Sequence, residues 1–472
     1  MIVAAALTTG AHAAPLSLNA LAQQDLLEYE DLSPVRVGER VTLEDFPLDA
    51  RRSVDLELER FSVLAPGAQT IIVDADGVEH DVSMEVVLLR GTANGDPDSR
   101  VFVSVSPYGT HGYVNTPLGL YAITSGPADP ALTDDLGLRV ANAAMIRQGK
   151  MRPPATCGSA EHLAETNATD LRDRAPEGYA LLRPRTTALL ETEIAVDTDY
   201  EYVSNRFGGD ASAASAYIQT LIGGVSQIYE AELGVRLSLT YSRVFSSNND
   251  PYPASPADDR LTHFRTEWQA TKSSVDRDTA HMLTGTSPPS WGGRAYVSAL
   301  CNNYSGYGVS AYINGWFPDP IANHQSGNWD LTVVAHELGH SHGTGHTHDT
   351  GWYNPPIDGC GSGNCSGAFG GTIMSYCHGC SGGMTNLVME FDDRVKDNIA
   401  WYLDYYAPCV ETVSIASCGS DCSNDGILNV DDIECFVTGF VVGSSAADCT
   451  GDGSLNVNDI ECFITGFMSG CS

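Results

Sequence analysis

Residues 336–346 read His336-Glu337-Leu338-Gly339-His340-Ser341-His342-Gly343-Thr344-Gly345-His346. On a helix, positions i and i+4 lie one above the other. His336 and His340 can therefore turn two imidazoles toward one ion. Gly343 permits a sharp backbone turn that a side chain would obstruct, and the turn returns His346 as a third nitrogen. Three nitrogens leave one tetrahedral position of a zinc ion for water, the arrangement of a catalytic rather than a structural site. Glu337 is placed beside that position without coordinating. It suits a general base that takes a proton from the attacking water and passes it to a leaving amine. His342 and His348 are left for core or surface roles.

Working outward, the flanking pattern is α/β. Ile194-Ala195-Val196-Asp197 reads as a short strand. Tyr217, Leu221, Val225, Ile228 and Tyr229 fall at helical spacing within 213–233, and Val235, Leu237, Leu239 and Tyr241 alternate as a strand. Ala295-Tyr296-Val297 reads as another strand after Gly292-Gly293. One helix is expected from near Leu331 and another over 389–405. Alternating helix and strand predict an α/β domain over 188–410.

Gly371-Thr372-Ile373-Met374-Ser375-Tyr376 follows the histidines. Together the two elements resemble the metzincin zinc peptidases. Within them the likeness is to the adamalysin/reprolysin group, through Ala280-His281-Met282-Leu283-Thr284-Gly285, Gly293-Arg294-Ala295-Tyr296-Val297, Cys301 and Val334-Ala335-His336. It covers about 193–409. The resemblance implies an α+β catalytic domain with a mixed five-stranded sheet and an active-site helix. It puts Met374 in a turn beneath one zinc ion, and Tyr376 near the zinc or the oxyanion. It implies a peptide substrate pairing with the edge strand Ala295, Tyr296 and Val297, and a Cys301–Cys409 disulfide. Cys360, Cys365, Cys377 and Cys380 are expected to pair locally, in an order the sequence leaves open. The chain departs from the group after His346, where Thr347-His348-Asp349 stands in place of a directly following Asp.

The 472 residues carry 60 acidic and 25 basic side chains, a net charge of −35. Such a surface repels phosphate, which excludes nucleic acid and anionic membranes as partners. No apolar run is long enough to span a bilayer. Thirteen cysteines point to an oxidising compartment. Residues 1–13 read as an export signal ending at Ala11-His12-Ala13. Residues 40–125 alternate as strands, for example Val54-Leu56-Leu58 and Val101-Val103-Val105. Residues 14–187 are accordingly expected to form a β-rich propeptide, cut near Arg183-Pro184-Arg185. Cys157-Gly158 resembles the cysteine that keeps several metzincin families latent by occupying the open zinc position. A disulfide from Cys157 to a later cysteine is the competing reading.

The tail, 416–472, is an internal repeat. Asp421, Ser423, Asp425, Asn429 and Asp432 recur as Asp448, Thr450, Asp452, Asn456 and Asp459, with Gly426 and Gly453 at the sixth position. Rings of hard oxygens around such a Gly suit two calcium ions, one per loop. Each loop leads into Ile-Glu-Cys-Phe at a helix start. The pair resembles the dockerin type I module, a small all-α F-hand domain, which implies a cohesin-like partner or surface attachment. The combined expectation is a monomeric, secreted or cell-surface zinc endopeptidase made as a zymogen and acting on proteins or peptides. The alternative is a non-catalytic surface binding protein whose calcium-binding tail carries the function.

Overall fold

A computed structural model describes residues 16–19, 27, 29–49, 52–117, 119–126, 139–142, 157, 175–182, 189–252, 259–288, 291–317, 329–412, 420, 422, 430–444, 447–450 and 454–469. The expected export signal, Gly158, the cleavage region at Arg183-Pro184-Arg185, and the calcium candidates Asp421, Ser423, Asp425, Asn429 and Asp452 lie outside them. Two compact units are present, one built from 1–180 with 192–410 and the other from 181–191 with 411–472.

The strands are β1 (Leu16–Asn19), β2 (Arg40–Asp49), β3 (Arg52–Phe61), β4 (Leu64–Val73), β5 (Glu79–Asp81), β6 (Val87–Ala93), β7 (Asp96–Ser106), β8 (Gly109–Thr116), β9 (Gly119–Thr124), β10 (Arg139–Asn142), β11 (Leu190–Thr198), β12 (Val235–Phe245), β13 (Thr279–Leu283), β14 (Gly293–Ala295) and β15 (Tyr307–Ser310). The helices are α1 (Tyr29–Leu32), α2 (Tyr179–Leu182), α3 (Tyr200–Arg206), α4 (Ala211–Leu233), α5 (Arg260–Thr271), α6 (Trp329–Ser341), α7 (Asp393–Tyr406), α8 (Val430–Val442) and α9 (Val457–Ser469).

One sheet runs β1-β2-β3-β6-β7-β8-β9-β10 and the other β14-β15-β13-β11-β12-β4-β5, with a further two-residue strand, Glu411–Thr412, antiparallel to the start of β11. Residues 190–310 thus supply β11 to β15, a mixed set in which β13 is parallel to β11 and β15 while β14 is antiparallel to β15. The N-terminal half widens that sheet beyond the five strands expected, because β4 runs parallel to β12. Ile71 and Val73 of β4 are buried in the same core as Tyr241, Phe264 and Trp268. Burying each aliphatic side chain is worth about 1.5–3 kcal/mol. The Lys272–Glu79 ion pair at the sheet edge is partly exposed and adds at most about 1 kcal/mol, so packing rather than charge holds β4.

Alternation along β7 gives that strand two faces. Val101, Val103 and Val105 enter the N-terminal core with Val41, Leu56 and Leu89. On the other face Phe102 and Ser104 meet α4, where Ser104 Oγ lies 2.7 Å from Thr220 Oγ1. Helix α4 is therefore covered on all sides, and every residue from Ala213 to Tyr229 is buried. Asp210 caps its start and Gly234, in the left-handed region, ends it. Tyr229 OH donates to Ala335 O at 2.8 Å, which ties α4 to α6. Buried Asp330 fixes the start of α6. Its carboxylate accepts from Tyr217 OH at 2.8 Å and from the Asn314 and Gly315 amides at 2.9 and 3.0 Å.

The expected edge strand is shortened. Tyr296 and Val297 fall beyond β14 because the Ser298 and Ala299 amides turn to the His340 and Ser341 carbonyls, at 2.8 and 3.1 Å. Cys301 pairs with Cys409, and the local pairs are Cys360–Cys377 and Cys365–Cys380. In the tail unit Cys422–Cys435 and Cys449–Cys462 close each repeat on itself, and the Phe436 and Phe463 rings stack at 4.1 Å. Among the described residues no helix is long and apolar enough to cross a membrane.

His111 on β8 packs edge-on to Tyr217, and its Nδ1 accepts from the Phe317 amide at 3.4 Å. Burial lowers its pKa from 6.5 to about 3. The unfolded chain thus takes up this proton first, and stability falls as pH drops below the unfolded value. By pH 5 this histidine alone removes about 2 kcal/mol. His111→Gln should flatten the fall in thermal midpoint between pH 7.5 and 5; an unchanged slope would rule the assignment out.

Candidate metal centre

Helix α6 carries His336 and His340 one turn apart, both facing the same point. Past its end, Gly343 adopts φ +96° with Tyr402 packed where a Cβ would stand. That turn brings in His346, and the His340 and His346 Nε2 atoms lie 3.1 Å apart. Two backbone carbonyls orient the rings: Ile373 O accepts from His336 Nδ1 at 2.7 Å, and Thr344 O accepts from His340 Nδ1 at 2.9 Å. Each Nδ1 then bears the proton and each Nε2 presents a lone pair inward. Burial lowers the pKa of all three histidines, that of His340 to about 4, so they are neutral at pH 7.

One donor atom each from His336, His340, His346 and Cys157 lies within 4.8 Å of the other three. His336 Nε2 is buried with no hydrogen-bond partner among the described residues. A buried orphan lone pair beside two more imidazoles and a thiol is a poor arrangement for a core and a good one for zinc. The ligands of a tetrahedral zinc site stand about 3.3 Å apart. The donor set fits the metal.

Cys157 is the N-terminal residue at this point. It forms no disulfide among the described residues. Its Sγ lies 3.5 Å from both His340 Nε2 and Glu337 Oε2, and its backbone makes a parallel bridge with Gly293 on β14. Tyr376 OH donates to Cys157 O at 2.7 Å. Burial, then the nearby Cys157 and Glu337, push the Tyr376 pKa up, so the hydroxyl stays protonated and donates. A narrow cleft opens here, walled by Trp329, Val333, Ile373 and Tyr376 among others.

Met374 is fully buried under α6, its Sδ against Gly339. Its carbonyl accepts from the Thr347 amide at 3.2 Å. Thr347 Oγ1 also donates to Asp358, so a later carboxylate serves the turn where a directly following Asp was missing. His342 bonds Leu338 O and Thr192 inside the core, while His348 stacks on His346 with rings 5.2 Å apart. Of the edge-strand candidates, only Ala295 lies in β14, and Tyr296 and Val297 are buried just beyond it.

In the tail, the described calcium candidates of the second loop gather on Asp459. Its Oδ1 accepts from the Thr450 amide and hydroxyl at 3.1 and 2.8 Å, and its Oδ2 from the Asn456 amide at 2.8 Å. Asp448 lies 3.4 Å from the Thr450 hydroxyl. From the first loop only Asp432, which is buried, is described.

Sequence reasoning missed Gly293 as part of the centre. A Cβ there would stand 2.2 Å from Glu337 Oε1, so the carboxylate rests against bare backbone. Gly293 reads as the start of a strand and as part of the stretch that carries the family likeness, and neither reading places it against Glu337. Gly293→Val should keep one zinc per chain while pushing Glu337 aside. A misplacement of about 1 Å can cost 10²-fold in turnover; full hydrolysis of casein by this variant would contradict the placement.

No curated protein matches the chain. Among solved structures, metalloproteinase-II from Bacteroides fragilis is similar at 12% identity, over 81% of this chain and 98% of that one, with a TM-score of 0.39. The stretch that holds the three histidines, Glu337, Gly293 and Met374 is also the stretch that matches a family: residues 191–388 match Reprolysin_5, metallo-peptidase family M12.

Proposed function

We propose that this chain is a secreted, zinc-dependent endopeptidase made as a latent precursor. The observation that carries the reading is the convergence of His336, His340 and His346 beside the Glu337 carboxylate, with a cysteine thiol in the same cluster. These three imidazoles would hold the metal. Bound zinc supplies Lewis acidity, which makes water ionise near pH 7 and draws electrons from a carbonyl.

The protein's own groups do the rest. Glu337 Oε2 stands 3.5 Å from the Cys157 thiol, so a water in the thiol's place is within reach of the carboxylate. Glu337 takes a proton from that water as its oxygen bonds to the peptide carbon, then gives it to the nitrogen as the C–N bond breaks. β14 offers an edge on which a substrate backbone can pair. Tyr376 offers a hydroxyl donor to a carbonyl, as it does to that of Cys157. The apolar cleft suits a substrate side chain.

Latency is assigned to Cys157, whose thiol takes the fourth place among the histidines; residues 14–187 then act as a propeptide cut near Arg183-Pro184-Arg185. The tail is read as a dockerin-like module binding two calcium ions, for attachment or for a cohesin-like partner. Its support is the duplicated sequence and the polar groups that turn to Asp459.

Glu337→Gln should lower casein hydrolysis by about 10²–10⁴-fold with zinc content unchanged. Undiminished hydrolysis defeats the proposal, as does activity that survives a zinc chelator. Cys157→Ser in the uncut chain should yield hydrolysis without processing, whereas a precursor that stays latent assigns the block to another group.

A further inference from the structure

Two surfaces hold the N-terminal segment 29–126 to residues 192–410, and neither passes through the metal centre. The first is a strand. Gln69–Val73 of β4 pairs in register with Tyr241–Phe245 of β12, and Ile71 and Val73 complete the core around Trp268. The Asn249 amide donates to Asp74 O at 2.9 Å where the two strands end.

The second surface is the outer face of α4. Thr220 and Gly223 let the N-terminal sheet lie close: Thr220 Oγ1 meets Ser104 Oγ at 2.7 Å, and the Leu88 and Phe102 side chains are nearest Gly223. Gln227 Nε2 donates to Val101 O at 2.6 Å, and Tyr113 OH donates to Gln227. Arg90 and Arg100 pair with Glu230 and Glu232, each at 2.5 Å. Cys157 meets the metal centre instead, through a bridge to Gly293, its thiol and the Tyr376 hydrogen bond.

We propose that segment 29–126 is a resident, strand-donating part of the catalytic unit rather than a removable cover. After a cut between 183 and 188 it stays bound, and the active species is two chains. Taking β4 away would bare the β12 edge, a template for aggregation, and would open the core beside it. Withdrawing Cys157 breaks contacts at the centre and none of those just named on the two surfaces. The position of the cut and the blocking role of the thiol rest on the reading above; retention of the segment does not.

The test uses the full chain with 183–188 replaced by a recognition sequence for an unrelated site-specific protease, in the Glu337→Gln background to prevent self-digestion. After complete cutting, gel filtration should return both fragments in one peak, one to one, still joined at nanomolar concentration. Adding Ile71→Ala and Val73→Ala should weaken the pair about tenfold or more. Fragments that part at micromolar concentration, leaving 189–472 soluble with an unchanged thermal midpoint, overturn the proposal.

A second cut chain keeps Glu337 and carries Cys157→Ala. It should hydrolyse casein while its fragments still co-elute. Activity that emerges only when the fragments separate also overturns the proposal. Inactivity in both states, with co-elution intact, supports retention and instead defeats the assignment of the thiol block and the peptidase centre.

Discussion

Two backbone carbonyls decide what the centre can be. Ile373 O and Thr344 O each take the Nδ1 proton of an imidazole, and so fix which nitrogen looks inward. Without them either ring could present a proton where a lone pair is needed. Both carbonyls belong to turns, and each turn is held in its own way. Ile373 precedes Met374, whose backbone is tied to Thr347; Thr344 sits in the Gly343 turn, against Tyr402. The methionine turn and the histidine turn therefore act as supports for imidazole chemistry, and burial keeps the rings neutral by excluding the water that would stabilise their charge.

The parts legible in the sequence were those whose information is local. Periodicity marked α4 and β12, and i,i+4 spacing marked the two helical histidines, because both follow from the geometry of a single element. The repeat in the tail was legible for the same reason. What escaped depends on distant contacts. Nothing in Leu64–Val73 announces that it pairs with a strand more than a hundred residues later. Nor does Gly293 announce that it lies under a carboxylate from α6. The shortened β14 belongs here too, since the Ser298 and Ala299 amides are diverted by carbonyls at the far end of α6. Helix α5 was also missed, although Leu261, Phe264 and Trp268 fall at helical spacing and are buried.

Gly293 draws the Cys157 contact and the Glu337 carboxylate to one spot. It bridges the Cys157 backbone on one side and receives Glu337 on the other. A segment lying there occupies the edge of β14 and meets the Glu337 carboxylate at the same time. The thiol contact is thus backed by a steric one.

The Cys301–Cys409 bond encloses 108 residues of separation, including α6 and the methionine turn. Exposed loops invite proteolytic nicks. Inside a covalent ring, one nick merely converts a loop into two tethered ends. The imidazoles and the sulfur beneath them remain on a single molecule, and a second break is needed before any of them can drift away.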